Sequence, residues 1–166
     1  MDKPNLPKRK TIRIKGYDYS TSGYYFITIC TKDKKCILSK VVSSNNSAQT
    51  QLTQTGQLVE NCLYKLSKIY TCVKLHDFVI MPNHVHAVIE IDNISEQLHR
   101  AQVCAPTMTL GQIVRGLKAG VSKYVGNSIW QRNYYEHVIR NEKEYLRILE
   151  YINNNPLNWA LDEYYN

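Results

Sequence analysis

The sequence predicts an α+β fold in which an antiparallel sheet is covered by helices on one face. Three observations carry this. The runs YYFITICT (24–31), LHDFVI (75–80) and VHAVIEI (85–91) are rich in β-branched and aromatic residues, the composition of buried strands. Over 58–69 and again over 110–121, apolar residues recur at intervals of three and four, the period of amphipathic helices. The resulting order is strand, helix, two strands, helix, strand, helix, which suits an antiparallel sheet with packed helices rather than a repeated parallel crossover.

The elements follow in order. Residues 1–15 carry Lys3, Lys8, Arg9, Lys10, Arg13 and Lys15 among prolines, a basic arm suited to lying along a phosphate backbone or simply to solvation. Ser22 and Gly23 turn the chain into the first strand. The segment 43–51 is polar and rich in Ser and Asn, so a loop is expected. From about Thr55 to Tyr70, the positions Leu58, Val59, Cys62, Leu63, Leu66 and Ile69 line one face of a helix. The next two strand-like runs are separated by Met81, Pro82 and Asn83, and proline removes one ladder donor there. A hairpin and a single long strand with a bulge both satisfy that pattern.

Residues 93–109 have weak periodicity and read as a connection. Leu110, Ile113, Val114, Leu117 and Val121 then define a helix that carries Arg115, Lys118 and Lys123 elsewhere on its surface. A short strand over about 134–139 precedes a last helix over about 142–154, which Pro156 stops.

At 166 residues with 43% hydrophobic composition, the chain (1–166) is expected to form one domain around one core. Its 21 Lys and Arg against 14 Asp and Glu give a net charge of +7, which favours a polyanionic partner such as nucleic acid. The five cysteines are odd in number and contain no CxxC pair, so neither a disulfide framework nor a cysteine zinc site is indicated, and buried reduced thiols are expected. No run of 18 apolar residues is present and the basic N-terminus is not followed by one, so no membrane association and a cytoplasmic location are expected. The absence of HExxH removes the metalloprotease helix.

Two constellations carry chemistry. On a strand, His84 and His86 project to the same face while Val85 points to the other, and two adjacent neutral imidazoles can chelate a divalent metal if further oxygen ligands are supplied. Alone, such a pair also occurs by chance on ordinary strands. The second is on the last helix, where Tyr145, Leu146, Ile148, Leu149 and Ile152 share one arc and read as core. Tyr151 sits at the boundary of that arc, and Asn155 shares its face four residues on. A nucleophilic hydroxyl beside an oxygen donor suits metal-assisted phosphoryl transfer; a packing tyrosine and a helix-ending asparagine fit the same pattern.

The segments RIKGYDYSTSGYYFITICT, FVIMPNHVHAVIEI and WQRNYYEHVIRNEKEYLRILEYINNNPLNW together resemble the small single-tyrosine HUH transposases of insertion sequences, and most of all the REP-associated tyrosine transposases. The resemblance runs from about Arg13 to Trp159. It implies a ferredoxin-like or RRM-like palm, with His84 and His86 as metal ligands on a central strand and Tyr151 as the nucleophile. Asn155 falls at the position of a polar third metal ligand. Also implied are Mg²⁺ or Mn²⁺, single-stranded DNA bearing a hairpin, and nicking and rejoining through a 5′-phosphotyrosine. A homodimer with the tyrosine acting in trans is compatible with the resemblance. Candidate DNA-binding residues are Lys10, Arg13, Arg115, Lys118, Lys123, Arg132 and Arg140. Trp130 and Trp159 are expected in the core. The rival class is a non-catalytic RRM-like nucleic-acid binder.

Overall fold

The computed structural model describes residues 14, 16–44, 47–93 and 108–165. Apart from position 14, the basic arm with Lys10 and Arg13 lies outside the described residues. Strand β1 (Gly23–Cys30) is followed by β2 (Ser39–Ser44), β3 (Ser47–Leu52), helix α1 (Gln54–Tyr64), one-turn helix α2 (Leu66–Ile69), β4 (Val73–Ile80) and β5 (His84–Ile91). Helix α3 (Leu110–Val125), β6 (Tyr135–Ile139) and α4 (Glu142–Asn154) follow, with 3-10 turns at Lys32–Lys34 and Trp159–Leu161.

The main sheet has the order β4-β5-β1-β6, and each neighbouring pair is antiparallel. The β5 strand bearing the histidines is therefore central. β4 and β5 form a hairpin closed by the Met81 amide donating to the His84 carbonyl at 2.9 Å, and β4 also has a register shift between Leu75 and Phe78. The Met81–Asn83 segment is thus the turn of a hairpin and not a bulge in one long strand; the irregularity of register lies within β4.

Strand alternation sorts the core into two layers. Tyr25, Ile27, Ile29, Val85, Ala87, Ile89 and Val138 face α1 and α3, where Val59, Leu63, Ile113 and Leu117 complete the larger cluster. Phe26, Val79, Val88 and Ile139 face the other way and meet Ile152 of α4, with Tyr145, Ile148 and Leu149 at the margin. Helices on one face describes α1 and α3; α4 lies on the opposite face. The reason is its apolar arc, which matches the second, smaller sheet surface.

The loop expected over 43–51 is instead largely strand: β2 and β3 pair from Ser39–Leu52 to Ser44–Ser47 in a separate two-stranded ribbon. Its polar side chains hide the strand signal because neither face is fully buried. The Ser39 hydroxyl donates to the Ile80 carbonyl at 2.8 Å and the Leu38 amide to Pro82 at 3.0 Å, which ties the ribbon to the β4–β5 hairpin.

The helix expected to run to Tyr70 breaks at Lys65 into α1 and α2. Thr53 caps α1 by accepting from the Gly56 amide at 3.1 Å. Gly56 packs so tightly on the Leu38 carbonyl that a β-carbon there would overlap it. α3 opens with a Thr109–Gln112 capping box and closes on Gly126 at φ +83°, a left-handed C-cap.

Cys62 and Cys72 are buried as expected; Cys36, in the turn before β2, is exposed instead. Trp130 is buried, whereas Trp159 is only half-buried beside the smaller cluster. Among the described residues no helix is long and apolar enough to cross a membrane.

Candidate active site

His84 opens β5 directly after the Met81–Asn83 turn, and His86 follows on the same face, so their ring centroids lie 4.5 Å apart. Both are fully buried. Each ring is fixed from behind. The Asn83 side-chain oxygen accepts from His84 Nδ1 at 2.9 Å, while the Asn83 amide nitrogen donates to the carbonyls of Tyr164 at 2.7 Å and Lys34 at 3.3 Å. Those two acceptors orient the amide, which in turn places the His84 proton on Nδ1. His84 Nε2 then presents a lone pair, and it is buried without a hydrogen-bond partner among the described residues.

Thr28 on β1 holds His86, with Oγ1 2.8 Å from Nδ1. Phe26 stacks on the His86 ring at 5.2 Å. On the far side of the ring the Tyr151 hydroxyl lies 3.2 Å from Nε2. Burial pushes the His84 imidazolium down to about 4, against the nearby Asp162 carboxylate. Burial, then the neighbouring His84, puts His86 well below its ordinary range. Both rings are therefore neutral near pH 7, the form that binds metals. Tyr151 is pushed up to about 12, mainly by burial and further by Asp162 and Glu163, while its contact with Asn155 acts the other way.

Asn155, the expected third ligand, is buried beside this pair. Its Nδ2 donates to Asp162 Oδ2 at 3.0 Å, and its Oδ1 has no partner among the described residues. Sequence reasoning missed Asp162. It follows the 3-10 turn at Trp159–Leu161, and one of its oxygens falls with a ring nitrogen of His84 and of His86 in a group mutually within 4.8 Å. The Tyr164 amide donates to its Oδ1 at 2.7 Å. Two imidazoles, a carboxylate and an orphaned amide oxygen form an N/O donor set suited to a divalent cation, and the unpartnered His84 Nε2 is aimed as a ligand would be. The available sequence signal was only an acidic residue shortly beyond Pro156, in a stretch with no periodicity.

Tyr164 and Trp159 wall the site, their rings 4.7 and 5.9 Å from that of His84. Lys34, also absent from the sequence candidates, lies over the Tyr164 ring at 5.8 Å and donates to the Glu163 carbonyl at 3.2 Å. Tyr145 is elsewhere: its hydroxyl is 3.1 Å from His76 Nδ1, and His76 pairs with Glu90 at 2.9 Å.

The basic candidates divide. Arg115 and Lys123 are exposed on α3, which packs on the sheet face opposite the histidines. Lys118 donates to the Gln131 and Asn133 carbonyls at 2.9 Å each, so its half-buried ammonium, lowered by burial to about 8, pins the loop before β6. Arg132 and Arg140 are exposed on either side of β6.

The chain matches the family model described as "Transposase IS200 like" over residues 19–155. A Haemophilus influenzae protein without an assigned function is 42% identical over 171 residues, covering 95% of this chain and 93% of its own. A second protein of that organism, provisionally named a REP-associated tyrosine transposase, is 27% identical over 145 residues, covering 84% and 73%. Among solved structures, that of a REP-associated tyrosine transposase bound to a REP hairpin superposes with a TM-score of 0.63 at 19% identity, covering 89% of this chain and 74% of that one. The last similarity concerns the fold. With the family match spanning most of the chain, from the entry to β1 through the end of α4, this protein belongs to the IS200-like transposase family.

Proposed function

We propose that the chain nicks and rejoins single-stranded DNA bearing a hairpin, with Tyr151 as nucleophile and His84, His86, Asp162 and Asn155 as the metal-binding group. The observation that carries this is the Tyr151 hydroxyl, 3.2 Å from His86 Nε2 of the same chain. That proximity supports a tyrosine acting in cis. The hairpin as substrate is supported by the REP hairpin in the related complex.

When bound, a divalent ion such as Mg²⁺ or Mn²⁺ polarises the scissile phosphate and offsets charge developing on its oxygens. The protein supplies the rest. Asn83 and Thr28 hold the two imidazoles in register, and Phe26, Trp159 and Tyr164 wall the site with aromatic surface. The phenol, neutral near pH 7, releases its proton as its oxygen bonds to phosphorus in line with the leaving group. The phosphorus–oxygen bond to the 3′ side breaks, and that oxygen leaves as a 3′-hydroxyl after taking up a proton. The phosphotyrosine ester retains the bond energy, so an incoming 3′-hydroxyl reverses the attack, joins strands and returns the phenol.

Incubation with labelled hairpin oligonucleotides, with and without Mn²⁺, tests the reading. A denaturant-stable protein–DNA adduct that requires the metal is expected. Metal-independent binding without cleavage identifies a non-catalytic binder instead, and cleavage without an adduct identifies a water-using phosphodiesterase.

A further inference from the structure

Resting on the nicking reading above, we infer that strand β6 is the track for unpaired DNA next to the scissile phosphate, with one nucleobase stacked on the ring of Tyr135. The sheet face that carries the histidines is only partly covered. α4 lies over β4 and β5, where Tyr145 reaches His76, Tyr151 reaches His86, and Ile152 is buried with Val79 and Val88. Over β6, α4 packs at the Ile139 end, where Ile139 joins the Ile152 cluster and the Glu144 carboxylate meets His137 at 2.7 Å and the Arg140 amide at 2.8 Å. Further along β6, Tyr135 is 46% exposed.

The register connects this tyrosine to the site. Thr28 pairs with Tyr135 on one side and with His86 on the other, so the three form a single row across β6, β1 and β5. Directly paired residues point to the same face. Two strand spacings of about 4.8 Å place the Tyr135 backbone roughly 10 Å from that of His86. Stacked nucleotides rise about 3.4 Å each, so a base on Tyr135 is only a few nucleotides from a phosphate at Tyr151.

Charge completes the track. Arg132 and Arg140 are exposed at opposite ends of β6. An aromatic platform flanked by cations is how single strands are held without base-specific contacts, because every base has a π-face and every linkage a negative charge. An exposed tyrosine on an edge strand is common by itself. Its place in the same row as His86 and Thr28, between two arginines, distinguishes this one.

The test is fluorescence anisotropy of the full chain in EDTA, using a fluorescein-labelled DNA hairpin with or without a short unpaired extension at its foot. The unmodified protein is expected to bind the extended hairpin more tightly. Tyr135→Ala should lower affinity for the extended hairpin by about five- to hundredfold and leave the extension-free hairpin unchanged. Tyr135→Phe, which keeps the ring, should bind both as the parent does. No preference for the extension in the parent, an unchanged affinity in Tyr135→Ala, or an equal loss on both hairpins overturns the β6 track. Because no metal is present, these results stand apart from adduct formation: the Tyr135 effect without any Mn²⁺-dependent adduct sinks the nicking reading alone.

Discussion

The Asn83 side-chain oxygen lies 2.9 Å from His84 Nδ1, and this one contact decides which nitrogen of His84 faces the site. The same side chain, through its amide nitrogen, holds the Tyr164 carbonyl at 2.7 Å and so tethers the segment that carries Asp162. Asn83 is a positioning residue for two members of the metal-binding group at once.

Asn83→Ala is therefore expected to weaken Mn²⁺ binding by roughly ten- to hundredfold, the usual cost of losing an outer-shell partner. Isothermal titration of the folded variant measures this. Asn83→Asp, which keeps an oxygen acceptor for Nδ1, should recover a substantial part of the affinity. Parent-like binding by Asn83→Ala would contradict the assigned role.

His84→Ala and His86→Ala each remove an imidazole whose Nε2 faces the site. Both variants should lose metal-dependent adduct formation by at least about a hundredfold while binding a hairpin as the parent does, since positioning of the ion is lost but the basic surface is not. Gel shift alongside the cleavage assay separates the two effects. Loss of hairpin binding in step with cleavage would place the histidines in DNA recognition rather than chemistry.

Asp162→Asn keeps the size and hydrogen-bonding reach of the side chain but removes the charge. Since even outer-shell partners are worth about tenfold or more, removing a charged donor should weaken Mn²⁺ by at least that factor. Asn155→Ala removes the orphaned amide oxygen and is expected to weaken it less. The reverse ranking in titration would make Asn155 the principal third ligand and Asp162 its partner.

Gly56→Ala places a β-carbon on the Leu38 carbonyl, where α1 crosses the start of the β2–β3 ribbon. Overpacking of this kind costs about 1–3 kcal/mol, enough to outweigh the better helix propensity of alanine. Urea denaturation should show a lowered midpoint. An unchanged or raised midpoint would mean that α1 shifts freely away from Leu38.

The parts of this fold that were legible in the sequence are those with a period. β1, β4, β5, α3 and α4 each bury one clear face or a continuous apolar run, so alternation or helical spacing exposed them. The β2–β3 ribbon was hidden because Ser43, Gln49 and Thr50 satisfy a backbone ladder without burying an apolar face. The boundary position of Tyr151 on α4 was readable from its helical wheel, and its distance to His86 was not. Asp162 illustrates the limit most clearly. It returns to the histidines through an aperiodic segment after Pro156, held by hydrogen bonds from Asn155 and the Tyr164 amide that only the folded chain assembles.

The central claim is that Tyr151 forms the covalent bond to DNA. Mn²⁺-dependent reaction with a labelled hairpin, followed by protease digestion and mass spectrometry of the labelled peptide, locates the adduct. The account predicts one modified residue, Tyr151, and no adduct in Tyr151→Phe, which keeps hairpin affinity. An adduct that persists in Tyr151→Phe, or a peptide modified at Tyr145 or Tyr164 in the parent protein, would contradict it.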